Sequence, residues 1–342
     1  MISGSNAPAL DSGRAFFNTQ GGRWAAEQFL KQLKAGKPMS TEALRTLDTL
    51  RRDEWKFFDD VVLEEAKIRL RAVGDLMSRG LTKTVPNGLG KTIYEYERMT
   101  DMNPAQLSLD GVTRSENDRV EFDPANLPLP IMHKDFWINL RTLMASRTRG
   151  ESLEVTQARV AGRLVAEGIE DLLINGTSKK YAGQSIYGYT THPSRATSGF
   201  GSNGDWGQSA KTGDNIVTDV LTMLSAMHTR RCFGPYAIYV PSDAGVKLEN
   251  DFKANSDLTI RQRLLQIEGV QSVTTVDTLA TSNVLMVQMT EDTVCMVEGE
   301  PLQTIQWDVE GGMVLNFKVM TIQVPLIRGD AQGRLGIYHM TD

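Results

Sequence analysis

The sequence predicts an α+β chain, and three features predict it. A long amphipathic run at residues 151–174 reads as one helix, a segment with repeated turn signals between residues 80 and 127 reads as a β-ribbon, and residues 303–338 form a strand-rich tail. The helical run carries a buried spine but no residue constellation that performs chemistry, which points to a scaffold.

At 342 residues the chain can hold two compact units, or one core with large excursions. Hydrophobic and charged fractions of 40% and 23% are those of an ordinary globular protein and exclude whole-chain disorder. No apolar run reaches the roughly 18 residues needed to cross a bilayer. The start, MISGSNAPALDSGR, lacks the basic-then-apolar pattern of a secretory signal. A formal net charge of -5 argues against a protein whose task is to grip nucleic acid, though not against one that encloses it. Cys232 and Cys295 are too few and too far apart for a disulfide framework or a zinc site, and read as small buried thiols in a cytoplasmically made chain.

Taken in order, residues 1–22 are polar and without period. An amphipathic pattern begins at Trp24 and stops at Gly36 and Pro38. A second helical pattern covers residues 40–78 with Ser40 as its N-cap, and Phe58, Val61, Val62, Ala66, Leu70 and Val73 recur at spacings of three and four. In the ribbon, Asn87-Gly88, Asp110-Gly111 and Asp123-Pro124 mark turns around the strand TIYEYERM, with Tyr94 and Tyr96 on one face. Such a ribbon cannot bury much of itself, so it is expected to leave the subunit body and pack on a neighbour. An extended lead-in at residues 127–140 precedes an Arg-Gly break at Arg149-Gly150. The spine helix follows, with Thr148 and Glu151 as a capping box and Val160, Leu164, Val165, Ile169, Leu172 and Leu173 as its apolar stripe. Burying six such side chains is worth roughly 9–18 kcal/mol before entropy. Residues 183–213 read as an exposed Gly/Ser/Thr-rich loop. Beyond it a helix near residues 214–229, the strand YAIYV, helices within residues 242–267 and strands VTTV, VLMVQM and VCMVEG suggest an α/β subdomain. Glu310-Gly311-Gly312 turns the tail hairpin, whose strands are expected to pair with the lead-in to the spine.

Several motifs invite a functional reading. Asn87-Gly88-Leu89-Gly90-Lys91-Thr92 resembles the end of a phosphate-binding loop, but the required earlier glycine is Val85 and Pro86 interrupts the approach. Gly199-Phe200-Gly201-Ser202-Asn203-Gly204 matches a dinucleotide pattern without the strand and helix that give it meaning. His133, His192, His228 and His339 show no metal-ligand spacing. Glu170 and Asp171 are neighbours that point about 100° apart on a helix, so a cap or salt bridge is favoured over acid-base work. No catalytic residue, cofactor-binding residue or metal ligand is therefore assigned. Arg141, Arg147 and Arg149 form a basic cluster before the spine, which reads either as a solvated turn or as a partner for acidic residues of a neighbouring subunit.

The lead-in LPIMHKDFWINLRTLMASRTRG, the helix ending IEDLLINGT, the exit IYGYTTHP and the closing GRLGIYHM resemble shell proteins of the Hong Kong 97-type fold. That family includes the major capsid proteins of tailed bacteriophages and the encapsulins. Glu170, Asp171, Asn175 and Gly176 match the closing pattern of its spine helix. The resemblance implies an N-terminal arm and helices at 1–54, a helix at 55–79 leading to an extended loop at 80–127, a peripheral domain at 128–182 and 299–342, and an axial domain at 183–298. It also implies a non-enzymatic capsid subunit made in a host cytoplasm and located in the virion. As such it would form hexamers and pentamers around double-stranded DNA, with portal, scaffolding or decoration proteins as further partners and no membrane. Tyr94, Tyr96, Arg98, Arg114 and Arg119 on the ribbon would then lie at the contact between subunits. An encapsulin-type shell around a cargo enzyme is the alternative, and a nucleotide-binding enzyme built on GLGKT or GFGSNG is a remote one.

Overall fold

The computed structural model describes residues 52–342, apart from 100–101, 103–106, 108, 110–118, 121, 150–155, 254–256, 310–312 and 331. The readings made for the N-terminal arm, Trp24, Ser40 and the turn at Glu310-Gly311-Gly312 lie outside the described residues. The elements in chain order are α1 (Arg52–Arg69), α2 (Ala72–Ser78), β1 (Thr82–Thr84), a 3₁₀ turn (Gly88–Gly90), β2 (Ile93–Met99), β3 (Phe122–Pro128) and β4 (Met132–Asn139). Next come α3 (Leu140–Arg149), α4 (Thr156–Ile174), β5 (Gly176–Tyr181), β6 (Gln184–Tyr187), β7 (Ala196–Ser198), α5 (Gly213–Thr229) and β8 (Tyr236–Val240). The chain ends with α6 (Ser242–Lys247), α7 (Ile260–Leu265), β9 (Val270–Thr275), β10 (Asn283–Gln288), β11 (Val294–Val309), β12 (Val314–Ile327) and β13 (Ile337–Thr341).

Two compact units result. The smaller draws its described residues from 52–61, Asp135–Arg159 and Thr304–Lys318; the larger comprises Val62–Lys134, Val160–Gln303 and Val319–Asp342. A four-stranded sheet has the order β1-β11-β12-β4, so the tail strands do neighbour the lead-in to the spine. In the smaller unit Phe136 stacks on Phe317 at 5.1 Å, beside buried Ile138, Leu143 and Leu315. Helix α3 departs from the extended lead-in of the sequence reading; the capping box read at Thr148 and Glu151 lies outside the described side chains and residues.

In the larger unit a five-stranded sheet has the order β7-β13-β10-β8-β9. Helices α5 and α7 cover it through Ile216, Val220, Met223, Met227, Ile260 and Leu264, which pack on Ile238, Val240, Val273 and Met286. Strand β13, assigned from the sequence to 299–342, pairs with β10 and β7 of this sheet.

The spine is α4. Ala158, Ala161, Val165, Ile169, Leu172 and Leu173 are buried, whereas Val160 and Leu164 stand 38% and 40% exposed, so the buried stripe is rotated from the one read in the sequence. The cause is Gly162: a Cβ there would lie 3.1 Å from the Val62 backbone oxygen, and this close approach of α1 favours small residues along that side.

The single helix expected over residues 40–78 is broken after Arg69. Ala72 and Val73 at the start of α2 donate their backbone N–H groups to Glu170 of the spine at 2.6 and 3.2 Å. A carboxylate from 97–98 residues away thus satisfies amides that a continuous helix would have bonded internally.

Candidate functional site

The ribbon is an antiparallel pair, β2 with β3, in which Tyr94 faces Leu127, Tyr96 faces Ala125 and Arg98 faces Asp123. The alternation read from the sequence places Tyr94 and Tyr96 together. Both are half-buried against a cluster that includes Leu127, Leu129, Leu172, Ile186, Val297 and Val324. Burial pushes the Tyr96 hydroxyl pKa up, with Arg98 and Arg328 opposing the rise. The Leu129 amide donates to the Thr92 carbonyl at 2.9 Å and closes the base.

Further out the ribbon changes character. Arg98 and Asp123 form an ion pair at 2.8 Å, with side chains 52% and 63% exposed, which holds register more than it adds stability. Phe122 is 58% exposed, Met102 54%, and Leu107 and Leu109 are fully exposed. Arg119 is also exposed, and Arg114 lies outside the described residues. Arg141 is exposed in the first turn of α3, where its N–H donates to Asn139 Oδ1 at 2.8 Å. Arg147 and Arg149 belong to the same helix, but their side chains lie outside the described set. The ribbon residues and the Arg141 cluster therefore fall in different units.

The glycine motifs serve packing. A Cβ on Gly88 would lie 2.2 Å from the Gly299 carbonyl oxygen, so the turn needs glycine to touch β11. The Gly90 and Lys91 amides donate to Asn87 and Gly88 carbonyls at 3.0 and 3.2 Å and are not aimed at a phosphate. In GFGSNG, a Cβ on Gly201 would meet Asp219 at 2.5 Å. Asp219 Oδ2 instead accepts from Lys211 Nζ at 2.7 Å and Trp206 Nε1 at 2.9 Å, while Lys211 also donates to the Ser202 carbonyl at 2.9 Å. All three side chains are buried, so the stretch 183–213, which is otherwise mostly exposed or half-exposed and includes β6 and β7, is pinned to the body by a buried ion pair. A run of polar residues gave no sign of this; the one signal was Lys211 eight positions before Asp219.

The spine's end is built from the residues that mark it in the sequence. Asn175 Nδ2 donates to Asp171 Oδ1 at 2.7 Å, and the Tyr189 and Thr190 amides donate to the Leu173 and Ile174 carbonyls at 3.0 and 2.9 Å. Gly176 takes φ +68°, and a Cβ there would lie 2.4 Å from Gly188 N. The exit YGYTT is thus the C-cap of the helix. Glu170 is 3% exposed; burial raises its pKa, opposed by the amides of Ala72, Val73 and Arg71 and by the Arg71 charge. Nearby, the Tyr239 hydroxyl donates to Asp75 Oδ2 at 3.0 Å, and Arg79 Nε meets Asp75 Oδ1 at 3.0 Å. Glu170 and Asp171 therefore do separate structural jobs, a helix cap and an Asn175 acceptor.

A cavity of about 310 Å³ lies beside the spine, lined by Ile131, Met132, Gly168, Leu172, Tyr181 and Gln323 among others. Among the described residues no three His, Cys, Asp or Glu side chains gather as a metal site.

The Family of unknown function (DUF6260) matches residues 42–340. The Type 1 encapsulin shell protein EncA of Myxococcus xanthus (strain DK1622) is 25% identical over 225 residues, 65% of this chain and 71% of EncA. Among solved structures, the virus-like particle from Pyrococcus furiosus superposes with a TM-score of 0.60 at 14% identity, over 84% of this chain and 98% of that one. The capsid of Myoviridae Phage XM1 gives 0.58 at 13% identity over 75% and 89%. The capsid of the native GTA particle gives 0.53 at 14% identity over 97% and 99%. The fold is thus the Hong Kong 97-type shell fold, as the spine and its exit indicated.

Proposed function

This chain belongs to the Family of unknown function (DUF6260), and we propose that it is a major capsid protein, which self-assembles through hexamers and pentamers into an icosahedral shell around double-stranded DNA. One observation carries the reading: a subunit of shell fold holds its ribbon firmly at the base and leaves Phe122, Leu107 and Leu109 bare further out. Burying three such side chains on a neighbour is worth roughly 5–9 kcal/mol before ordering costs. Closed symmetric shells supply that neighbour to every copy.

In this reading the ribbon, with Arg98, Arg114 and Arg119 and the open edges of Tyr94 and Tyr96, meets the next subunit. Arg141, Arg147 and Arg149 meet acidic side chains there. Residues 1–54 form an arm and helices, 128–182 and 299–342 a peripheral domain, and 183–298 an axial domain whose sheet takes β13 from the end of the chain. The chain is structural, not enzymatic, and resides in the virion. A net charge of -5 suits a wall that encloses DNA without binding it tightly.

The likeness to EncA favours a second reading, a nanocompartment that encloses a cargo enzyme. Negative-stain microscopy of the purified protein, followed by nuclease-protection and mass-spectrometric analysis of particle contents, tests both. Closed shells with long protected DNA support the capsid reading, and shells with a packaged enzyme support the compartment. A chain that stays monomeric under every assembly condition overturns both.

A further inference from the structure

We propose that His192, Arg195 and His339 form an acid-opened clasp that holds strand β7 and the C-terminal strand β13 on the five-stranded sheet. His339 sits in the middle of β13, paired with Leu285 of β10 on one side and Thr197 of β7 on the other. Its tautomer follows from the hydrogen bonds. Asn283 donates its Nδ2 hydrogens to the Ala280 and Thr281 carbonyls, at 3.2 and 3.0 Å, so its Oδ1 is the acceptor that faces His339 Nε2 at 2.7 Å. Nε2 is therefore the protonated nitrogen, and Nδ1 accepts from Arg195 Nε at 3.3 Å.

His192 is arranged alike. Its Nδ1 accepts from the Ser194 amide at 3.2 Å, and its carbonyl accepts from Arg195 Nη1 at 2.9 Å. Both histidines thus offer an incoming proton only a nitrogen that already holds a donor. Arg195 is the charge that acts on both, Arg230 adds a second cation through the Ser194 carbonyl at 3.0 Å, and Tyr187 packs its ring against His192 at 5.4 Å. A proton on either ring breaks a hydrogen bond and sets like charges together. Burial first and Arg195 second lower both pKa values to about 4.

The sign follows from linkage. An opened clasp exposes histidines of ordinary pKa, which take up protons before the closed form does, so closure is complete above about pH 6.5 and is lost as pH falls toward 4. From pH 7 to pH 5 the opening equilibrium rises up to about 20-fold for each histidine, and closer to tenfold for the partly exposed His192 after solvent screening. The clasp belongs to the subunit and operates whether or not the chain assembles.

Two measurements on the full chain test it. In an NMR titration of histidine-labelled protein, two rings should stay neutral until about pH 4; all rings titrating near 6.5 would overturn the clasp. In amide exchange, corrected for intrinsic rates, residues 196–198 and 337–341 should lose at least tenfold protection between pH 7 and pH 5, ahead of β8 and β9. Unchanged protection, or equal loss across the sheet, counts against it. His192→Asn with His339→Gln should remove the pH dependence while leaving β13 protected at pH 7; a double variant that keeps the wild-type dependence refutes the assignment. Where that variant does not fold, the wild-type titration decides alone.

Discussion

Replacing Glu170 by Ala removes the acceptor that starts helix α2. The carboxylate is 3% exposed and accepts from two buried amides at 2.6 and 3.2 Å. Hydrogen bonds to a charged acceptor contribute about 1.5–3 kcal/mol each, so their loss costs about 3–6 kcal/mol, before relief of the desolvation borne by the buried charge. Taking that relief as about 1–2 kcal/mol leaves a net loss of about 2–4 kcal/mol. Glu170→Gln keeps one carbonyl acceptor and sheds the charge, so it should cost less, about 1–2 kcal/mol. Urea unfolding of the unassembled chain measures both. Amide exchange at Ala72 and Val73 should report the loss locally, ahead of the five-stranded sheet. An alanine variant within 0.5 kcal/mol of the parent, or a glutamine variant as damaging as alanine, would refute the cap. The pH dependence adds a check. A raised carboxyl pKa means the native state binds more protons in that window, so this group's contribution weakens as pH rises through it, opposite to the histidine clasp. Glu170→Gln should therefore steepen the acid loss of stability.

Asp219→Ala should cost about 3–5 kcal/mol in urea unfolding, because it leaves Lys211 buried and unpaired, whereas Lys211→Met with Asp219→Leu should recover most of the loss; an equal penalty for both variants would deny the pair its role. Gly88→Ala should lower stability by about 1–3 kcal/mol, since its Cβ would overlap the Gly299 backbone, while Gly183→Ala, which has open space but φ +78°, should cost about 1 kcal/mol; the reverse order would show that β11 does not press on the turn. Leu107→Asp with Leu109→Asp should leave subunit stability within about 0.5 kcal/mol but cut particle yield at least tenfold by light scattering, and unimpaired yield would remove the ribbon from the interface.

What the sequence made legible and what it hid divide along the range of the forces. The spine's end could be read directly because its cap is local: Asp171, Asn175 and Gly176 lie within one and a half turns, and the YGYTT exit follows within about a dozen residues. The β2 strand was legible by its period of two. The break after Arg69 was not, since its cause is a carboxylate on another helix and residues 52–78 keep a helical pattern on both sides of it. The rotated stripe of α4 was hidden for a similar reason. Val160 and Leu164 have the spacing of a core, yet the approach of Val62 to Gly162 chooses the alanine face instead.

The ribbon combines both cases, and this bears on how an assembly surface can be recognised. Hydrophobic alternation pointed to a strand with two faces, and the natural inference was that Tyr94 and Tyr96 look toward a neighbour. In the folded subunit those tyrosines are half-buried in the cluster that includes Leu129, Leu172 and Val297, and among the described residues of the ribbon Met102, Leu107, Leu109 and Phe122 are exposed. Aromatic pairs that hold a ribbon to its own subunit, and aliphatic residues beyond them that remain exposed, divide the work of placing and joining. In the proposed shell, the buried faces of the first set the direction in which the ribbon leaves, while their open edges and the second group meet another copy. A variant in the tyrosines should therefore weaken folding and assembly together, whereas one in the leucines should separate them.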